Sequence, residues 1–297
     1  MKNFAIAKIL PSAVIGLSIC ATLPLCADSG QTTSILSKIS PSIVTVKVVL
    51  KEEAKAGGQS HEEETRAELH GVAVTADGLI MVSNTTFSAE RLAELVGAPS
   101  DGDLGFKLIP TDFKVVFQDE EKEYPAYLAA SDSTLGVAFI KVEDLAGKSV
   151  VPVDFSGTAA PSIGDELSEV SRLNKGYDYA PTLRTSHVSA EIDKPRKAWV
   201  LDGSAHEQGL PVLDAQGDTV GILTYVPSGV SASAAGGADM GAFMGMMGGS
   251  ARAISFVVPN SALTPIILQA EAQAKNVAAT RATTPPDPKL PAPIKKQ

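Results

Sequence analysis

The chain has 297 residues, of which 44% are hydrophobic, 20% charged and only 5% aromatic, with a single Trp. That is ordinary globular composition, sufficient for one large or two small cores built mainly from aliphatic side chains. A formal charge of −9, with a pI near 5.0, argues against a nucleic-acid partner, since no basic stripe offsets the negative field.

The first 27 residues read as an export signal. Lys2 and Lys8 supply positive charge, residues 9–23 are mostly apolar, and Leu25-Cys26-Ala27 precedes Asp28 as a cleavage site. Pro11 and Pro24 interrupt the run, which is short for a membrane span of about 20 residues. No transmembrane span is therefore expected after signal removal. Lipid attachment at Cys26 is disfavoured, because Leu25 is larger than the small residue such processing requires. Cys20 and Cys26, the chain's 2 cysteines, both fall in this signal. The mature chain is expected to have no disulfide, thiol catalyst or cysteine metal site, which suits the periplasm or cell envelope of a bacterium.

Residues 40–50 are rich in β-branched side chains and predict a first strand. Residues 51–68 are charged, contain Gly57-Gly58 and lack an apolar period, so they predict a solvated loop. Residues 71–84 form a hairpin turning at Asp77-Gly78. Residues 88–96 predict a short helix capped by Ser88, with Leu92, Leu95 and Val96 on one face, and residues 97–105 an inserted loop. Strands follow at 113–117, 124–129 and 137–142. The connection 143–163, with Gly147, Gly157 and Pro161, marks a boundary between two halves of similar length.

The second half offers strands at 163–170, 182–191 and 197–201, then a hairpin around Asp214-Ala215-Gln216-Gly217, then a strand at 253–259. Short strands punctuated by turns in two halves argue for all-β barrels. Residues 260–274 are helical in period, with Leu263, Ile267 and Ala270 on one face. Residues 276–297 are expected to be a disordered Pro/Lys tail, having too little apolar surface to bury; the other readings of its Pro-rich run are a polyproline ligand or a wall-spanning linker.

Five motifs in order carry a resemblance. His206-Glu207-Gln208-Gly209-Leu210-Pro211-Val212, followed by a hairpin ending in Val220-Gly221-Ile222, is similar to the nucleophile loop G-[ND]-S-G-G-P-[LV] of trypsin-like serine proteases, with Gln208 in the serine position. Val82-Ser83-Asn84-Thr85-Thr86-Phe87 resembles T-N-x-H-V, with Thr86 in the histidine position. The run from Asp132 to Lys141 resembles the family's D-x-x-x-D-[LV]-A segment, with Gly136 replacing the aspartate that orients the histidine. Ile163-Gly164-Asp165 and Ile254-Ser255-Phe256-Val257-Val258-Pro259 resemble its V-G-D and G-F-A-I-P. Over residues 35–275 the chain thus resembles the protease domain of the HtrA/Deg family. The resemblance implies an all-β fold of two trypsin-like six-stranded β-barrels, residues 28–145 and 146–275, with a C-terminal helix. The family's usual C-terminal PDZ domain is not expected here, since too little chain follows residue 275.

The resemblance also implies that the chemistry is lost. A triad needs a hydroxyl nucleophile, an imidazole base and a carboxylate that fixes its tautomer. Gln208, Thr86 and Gly136 supply none of these. His206 stands where the family has Gly, so the oxyanion loop His206-Glu207-Gln208-Gly209 is altered too. No histidine lies between residues 71 and 186, so no small shift restores the base. Near Gln208 the only serine is Ser204, and Asp202, Ser204 and His206 within five residues of one loop are poorly placed to form a triad, whose members must be held by different parts of the scaffold. A metal site from Asp202, His206 and Glu207 is disfavoured against a plain polar loop, and no metal or cofactor is expected. His61, His70 and His187 read as exposed or satisfied. Met240, Phe243, Met244, Met246 and Met247, in the Gly-flanked stretch 228–252, are candidate peptide-binding residues, because Met-rich surfaces repack around varied apolar partners; the plainer reading is an insertion without a partner.

These features lead to an exported, catalytically inactive pseudoprotease. Its expected partners are peptide, unfolded protein or an active HtrA-type protease, and an oligomer is possible. Two alternatives stay open: a serine endopeptidase using displaced residues, and a structural cell-envelope protein.

Overall fold

The structure is a computed structural model describing residues 29–56, 59–87, 106–118, 120–194, 196–203, 207–225 and 255–283. Twelve strands close into two antiparallel barrels. The first contains β1 (Ile43–Ala56), β2 (Gln59–Ala73), β3 (Leu79–Ser83), β4 (Phe106–Val116), β5 (Glu123–Asp132) and β6 (Val137–Val142) in the order β1-β2-β3-β6-β5-β4. The second contains β7 (Glu166–Arg172), β8 (Pro181–Ile192), β9 (Ala198–Leu201), β10 (Pro211–Leu213), β11 (Thr219–Tyr225) and β12 (Ser255–Pro259) in the order β10-β11-β12-β9-β8-β7. Helix α1 (Ser29–Ile39) precedes them and α2 (Asn260–Thr283) follows.

Period-two alternation explains which strands are continuously apolar. In β3 and β6, Ile80, Val82, Ala138 and Ile140 fill the first barrel, while Leu79, Met81, Val137 and Phe139 join a second cluster outside it. With both faces buried, these strands have few polar positions. The outer cluster also takes Val170, Leu210, Leu213, Ile222 and Val258 from the second barrel, together with Ile35 and Ile39 of α1 and Leu263, Ile267 and Ala270 of α2. A smaller cluster around Trp199 fills the second barrel. The barrels therefore share one core between them.

Turn chemistry follows the sequence. Gly78 (φ +87°) closes the β2–β3 turn and Gly217 (φ +77°) the β10–β11 turn, where Asp214 Oδ1 accepts from the N–H groups of Gln216 and Asp218, both at 2.9 Å.

Three expectations need correction. Residues 51–56 and 59–68 are not a loop, because β1 and β2 run on as a paired ribbon joined on the other side by β4. A ribbon with no fully buried face has no apolar period to reveal it. Lys51 Nζ ties it instead, 3.4 Å from Glu53 and 3.0 Å from Glu62. The C-terminal helix does not end at Ala274 but continues through Thr283, so residues 276–283 belong to it rather than to a tail. Tyr127 Oη donates to the carbonyl of Ala274 at 3.2 Å, and Arg281 pairs with Glu143 and lies 4.8 Å from the Tyr127 ring centroid. The third is an omission, since the sequence reading contains no helix at α1. The helix expected at 88–96, the inserted loop 97–105 and residues 284–297 lie outside the described residues.

The connection between β6 and β7 is strapped down despite its irregular backbone. Val150, Val153 and Phe155 are buried, Val153 N donates to Ala73 O at 2.9 Å, and Thr264 Oγ1 donates to Phe155 O at 3.0 Å. Buried Arg172 joins the barrels again, its Nε donating to Ile43 O at 2.7 Å and its Nη2 to Ser40 O at 2.5 Å.

Candidate functional site

The loop entering β10 packs against the end of β3, where the barrels meet. Gly209 sits at φ +83°, and a Cβ there would lie 2.4 Å from Ser83 N, so only glycine allows this approach. Gly209 N donates to Leu223 O at 2.8 Å, and Leu223 N donates to Leu210 O at 3.0 Å, which ties the loop to β11.

Gln208, in front of that glycine, is half-buried. Its Oε1 accepts from Thr85 Oγ1 at 3.2 Å and lies 3.5 Å from Ser83 Oγ, whose proton goes to Thr85 Oγ1 at the shorter distance of 3.0 Å. Thr86 is the next residue of the same 3-10 turn, Thr85–Phe87. Gly136 adjoins from the other side: Asn84 N donates to Gly136 O at 3.0 Å, and Gly136 takes a left-handed conformation, φ +71°. Asp132 Oδ1 caps that turn by accepting from Leu135 N at 2.8 Å. The segment carrying Thr86 thus bonds to Gly136 through Asn84 and to Gln208 through Thr85. Asn84 is buried, and its Oδ1 has no hydrogen-bond partner among the described residues.

A second polar cluster lies beside the same loop, and the sequence did not reveal it. His70 on β2 lies with Nδ1 2.6 Å from Glu207 Oε1. Ser171 Oγ on β7 donates to Glu207 Oε2, and Glu207 N donates to Glu169 Oε1 at 3.0 Å. The partners come from two distant parts of the chain, His70 137 and Ser171 36 residues from Glu207, so no local motif could announce them. His70 is a satisfied histidine. His187 is exposed, its Nδ1 3.4 Å from Asp202 Oδ2. The side chain of His61 lies outside the described residues.

The geometry limits the chemistry. Proton abstraction by histidine needs its imidazole against the nucleophile's hydroxyl. Here a carboxylate separates them, taking the hydroxyl of Ser171 on one oxygen and the imidazole of His70 on the other. Glu169 adds a second carboxylate at the loop backbone, where a developing oxyanion would need donors instead.

His206, Ser204 and the stretch with Met240, Phe243, Met244, Met246 and Met247 lie outside the described residues. Among the described residues no group of three His, Cys, Asp or Glu could hold a metal ion, and no helix is long and apolar enough to cross a membrane. Two surface cavities, about 460 and 380 Å³, flank Pro152, Val153 and Asp154; no candidate residue lines either.

No family model matches the chain, and no curated protein matches it. Among solved structures, the HtrA-type protease AlgW with a tripeptide superposes with a TM-score of 0.51 at 15% identity, over 80% of this chain and 62% of that one. The chain thus spans less than two thirds of that protein's length. At this identity the likeness concerns fold alone, and in fold the chain is a pair of trypsin-like six-stranded barrels followed by a helix, similar to an HtrA-type protease.

Proposed function

We propose that the chain is an exported, catalytically inactive relative of trypsin-like proteases that acts by binding polypeptide. One observation carries this reading. The residue in the nucleophile position, Gln208, is an amide accepting from Thr85, while His70, the described imidazole beside this loop, is engaged by Glu207 rather than by a hydroxyl. Losing serine or histidine alone costs a serine protease of another fold about a factor of a million in turnover. The tripeptide in the name of the HtrA-type neighbour supports peptide as the ligand class, and the signal-like residues 1–27 support export.

Fluorophosphonate labelling, together with cleavage of an unfolded protein substrate, tests the loss of catalysis. No label and no cleavage are expected from purified protein. Labelling abolished by Ser171→Ala or Ser204→Ala would instead establish an enzyme with displaced residues. Ser171 is included because it is the described hydroxyl that shares a carboxylate with an imidazole.

A further inference from the structure

The geometry points to Gln208 as a ligand-contacting residue, its Nε2 donating a hydrogen bond to a main-chain carbonyl oxygen of an extended polypeptide. This deepens the binding reading above and rests on it. The argument is one of counting protons. Thr85 N donates to Ser83 Oγ at 3.3 Å, Ser83 Oγ donates to Thr85 Oγ1 at 3.0 Å, and Thr85 Oγ1 donates to Gln208 Oε1 at 3.2 Å. As the side chains are placed, each hydroxyl gives its one proton along this chain of donors, and the chain ends on the amide oxygen. The oxygen is thereby turned toward the first barrel. The amide nitrogen keeps two protons, and neither has an acceptor among the described residues.

The donor is also held in place. Its neighbour Gly209 is wedged against Ser83 N and bonded to Leu223 O. A donor held in place, open to solvent and without a partner among the described residues is free to exchange water for an acceptor that a ligand brings. Charge selects the acceptor. Glu207 and Glu169 flank the loop, so a carboxylate or phosphate would be repelled, whereas a neutral amide carbonyl would not. Main-chain carbonyls recur along every polypeptide, so recognition of this kind tolerates varied sequences.

The test measures binding of fluorescein-labelled, reduced and carbamidomethylated ribonuclease A, at high salt to suppress non-specific attraction to the acidic protein. Gln208→Glu keeps the shape and can still accept from Thr85, but it has no N–H. Gln208→Met removes the donor without adding charge. Expected are binding by the wild type, a loss of about tenfold in Gln208→Glu, equivalent to about 1.4 kcal/mol, and a smaller loss in Gln208→Met. The melting temperature of Gln208→Glu should stay unchanged, and that of Gln208→Met should fall slightly because Thr85 Oγ1 loses its acceptor. The Gln208 side-chain amide proton should also move downfield in the NMR spectrum when the probe is added. If the wild type binds and both variants bind equally well, the role of Gln208 is overturned while the binding reading stands. If the wild type does not bind this probe, the binding reading falls and this inference falls with it.

Discussion

Glu123 shows how a surface side chain can be strongly perturbed and still contribute little stability. It lies 2.7 Å from Lys47 and 3.0 Å from Lys114. The hydrogen bonds from Lys47 and then Lys114 pull its carboxyl from 4.5 down to about 2, while the bond to Glu123 chiefly raises Lys47. A depressed carboxyl stabilises the fold above its unfolded value near 4.5, and this contribution is lost as the pH falls toward 2. The Glu123 side chain is 35% exposed, so solvent screening keeps the contribution to no more than about 1 kcal/mol. Glu123→Gln should lower the melting temperature slightly at pH 7 and match the wild type near pH 2. An equal deficit at both pH values would show that the loss is not electrostatic. At the residue scale, motif order named Thr86, Gly136 and Gln208 as the expected triad positions. The pairing of Glu207 with His70 and Ser171 could not, because each partner is an unremarkable polar residue in its own stretch.

Helix α1 shows what an element can owe to its partners. Ile35 and Ile39, one turn apart, are each 5% exposed in the core shared by the barrels. Lys38 Nζ donates to Gly217 O at 2.9 Å and lies 3.3 Å from Asp218 in the β10–β11 turn. Isolated helices of this length are marginal in water, so docking holds it. Ile35→Ala or Ile39→Ala should each cost about 2–4 kcal/mol in denaturant unfolding. Lys38→Ala should cost less than about 1 kcal/mol, its ion pair being exposed. The reverse ranking would mean that the turn contact, rather than burial, secures α1. The β1–β2 ribbon is the opposite case: its strand character lies in backbone pairing with two neighbours, which leaves little trace in side-chain pattern.

At the scale of the whole molecule, the core between the barrels governs cooperativity. Residues from both barrels and both helices meet in it, and Arg172 and the strapped connection add polar ties. Neither barrel can lose its structure without exposing apolar surface of the other. The protein should therefore unfold in one calorimetric transition, with calorimetric and van't Hoff enthalpies equal. Two resolved transitions would refute a shared core. The candidate site lies at this same junction, so destabilising the core should loosen the loop of Gln208 before either barrel opens fully.

The sequence by itself determined the alternation that fills each barrel, the glycine turns at Gly78 and Gly217, the order of the motifs and the residue types at the three positions of the expected triad. These are local properties, set by the strand period of two and by which residues tolerate a left-handed backbone. Only the tertiary structure decided that Gln208 lies against Thr85, that Glu207 joins His70 to Ser171, that α1 docks on the β10–β11 turn and that a charged stretch becomes a ribbon. The physical reason is distance along the chain: such contacts form between segments far apart in sequence, and their free energy comes from surfaces that meet only once both barrels have closed.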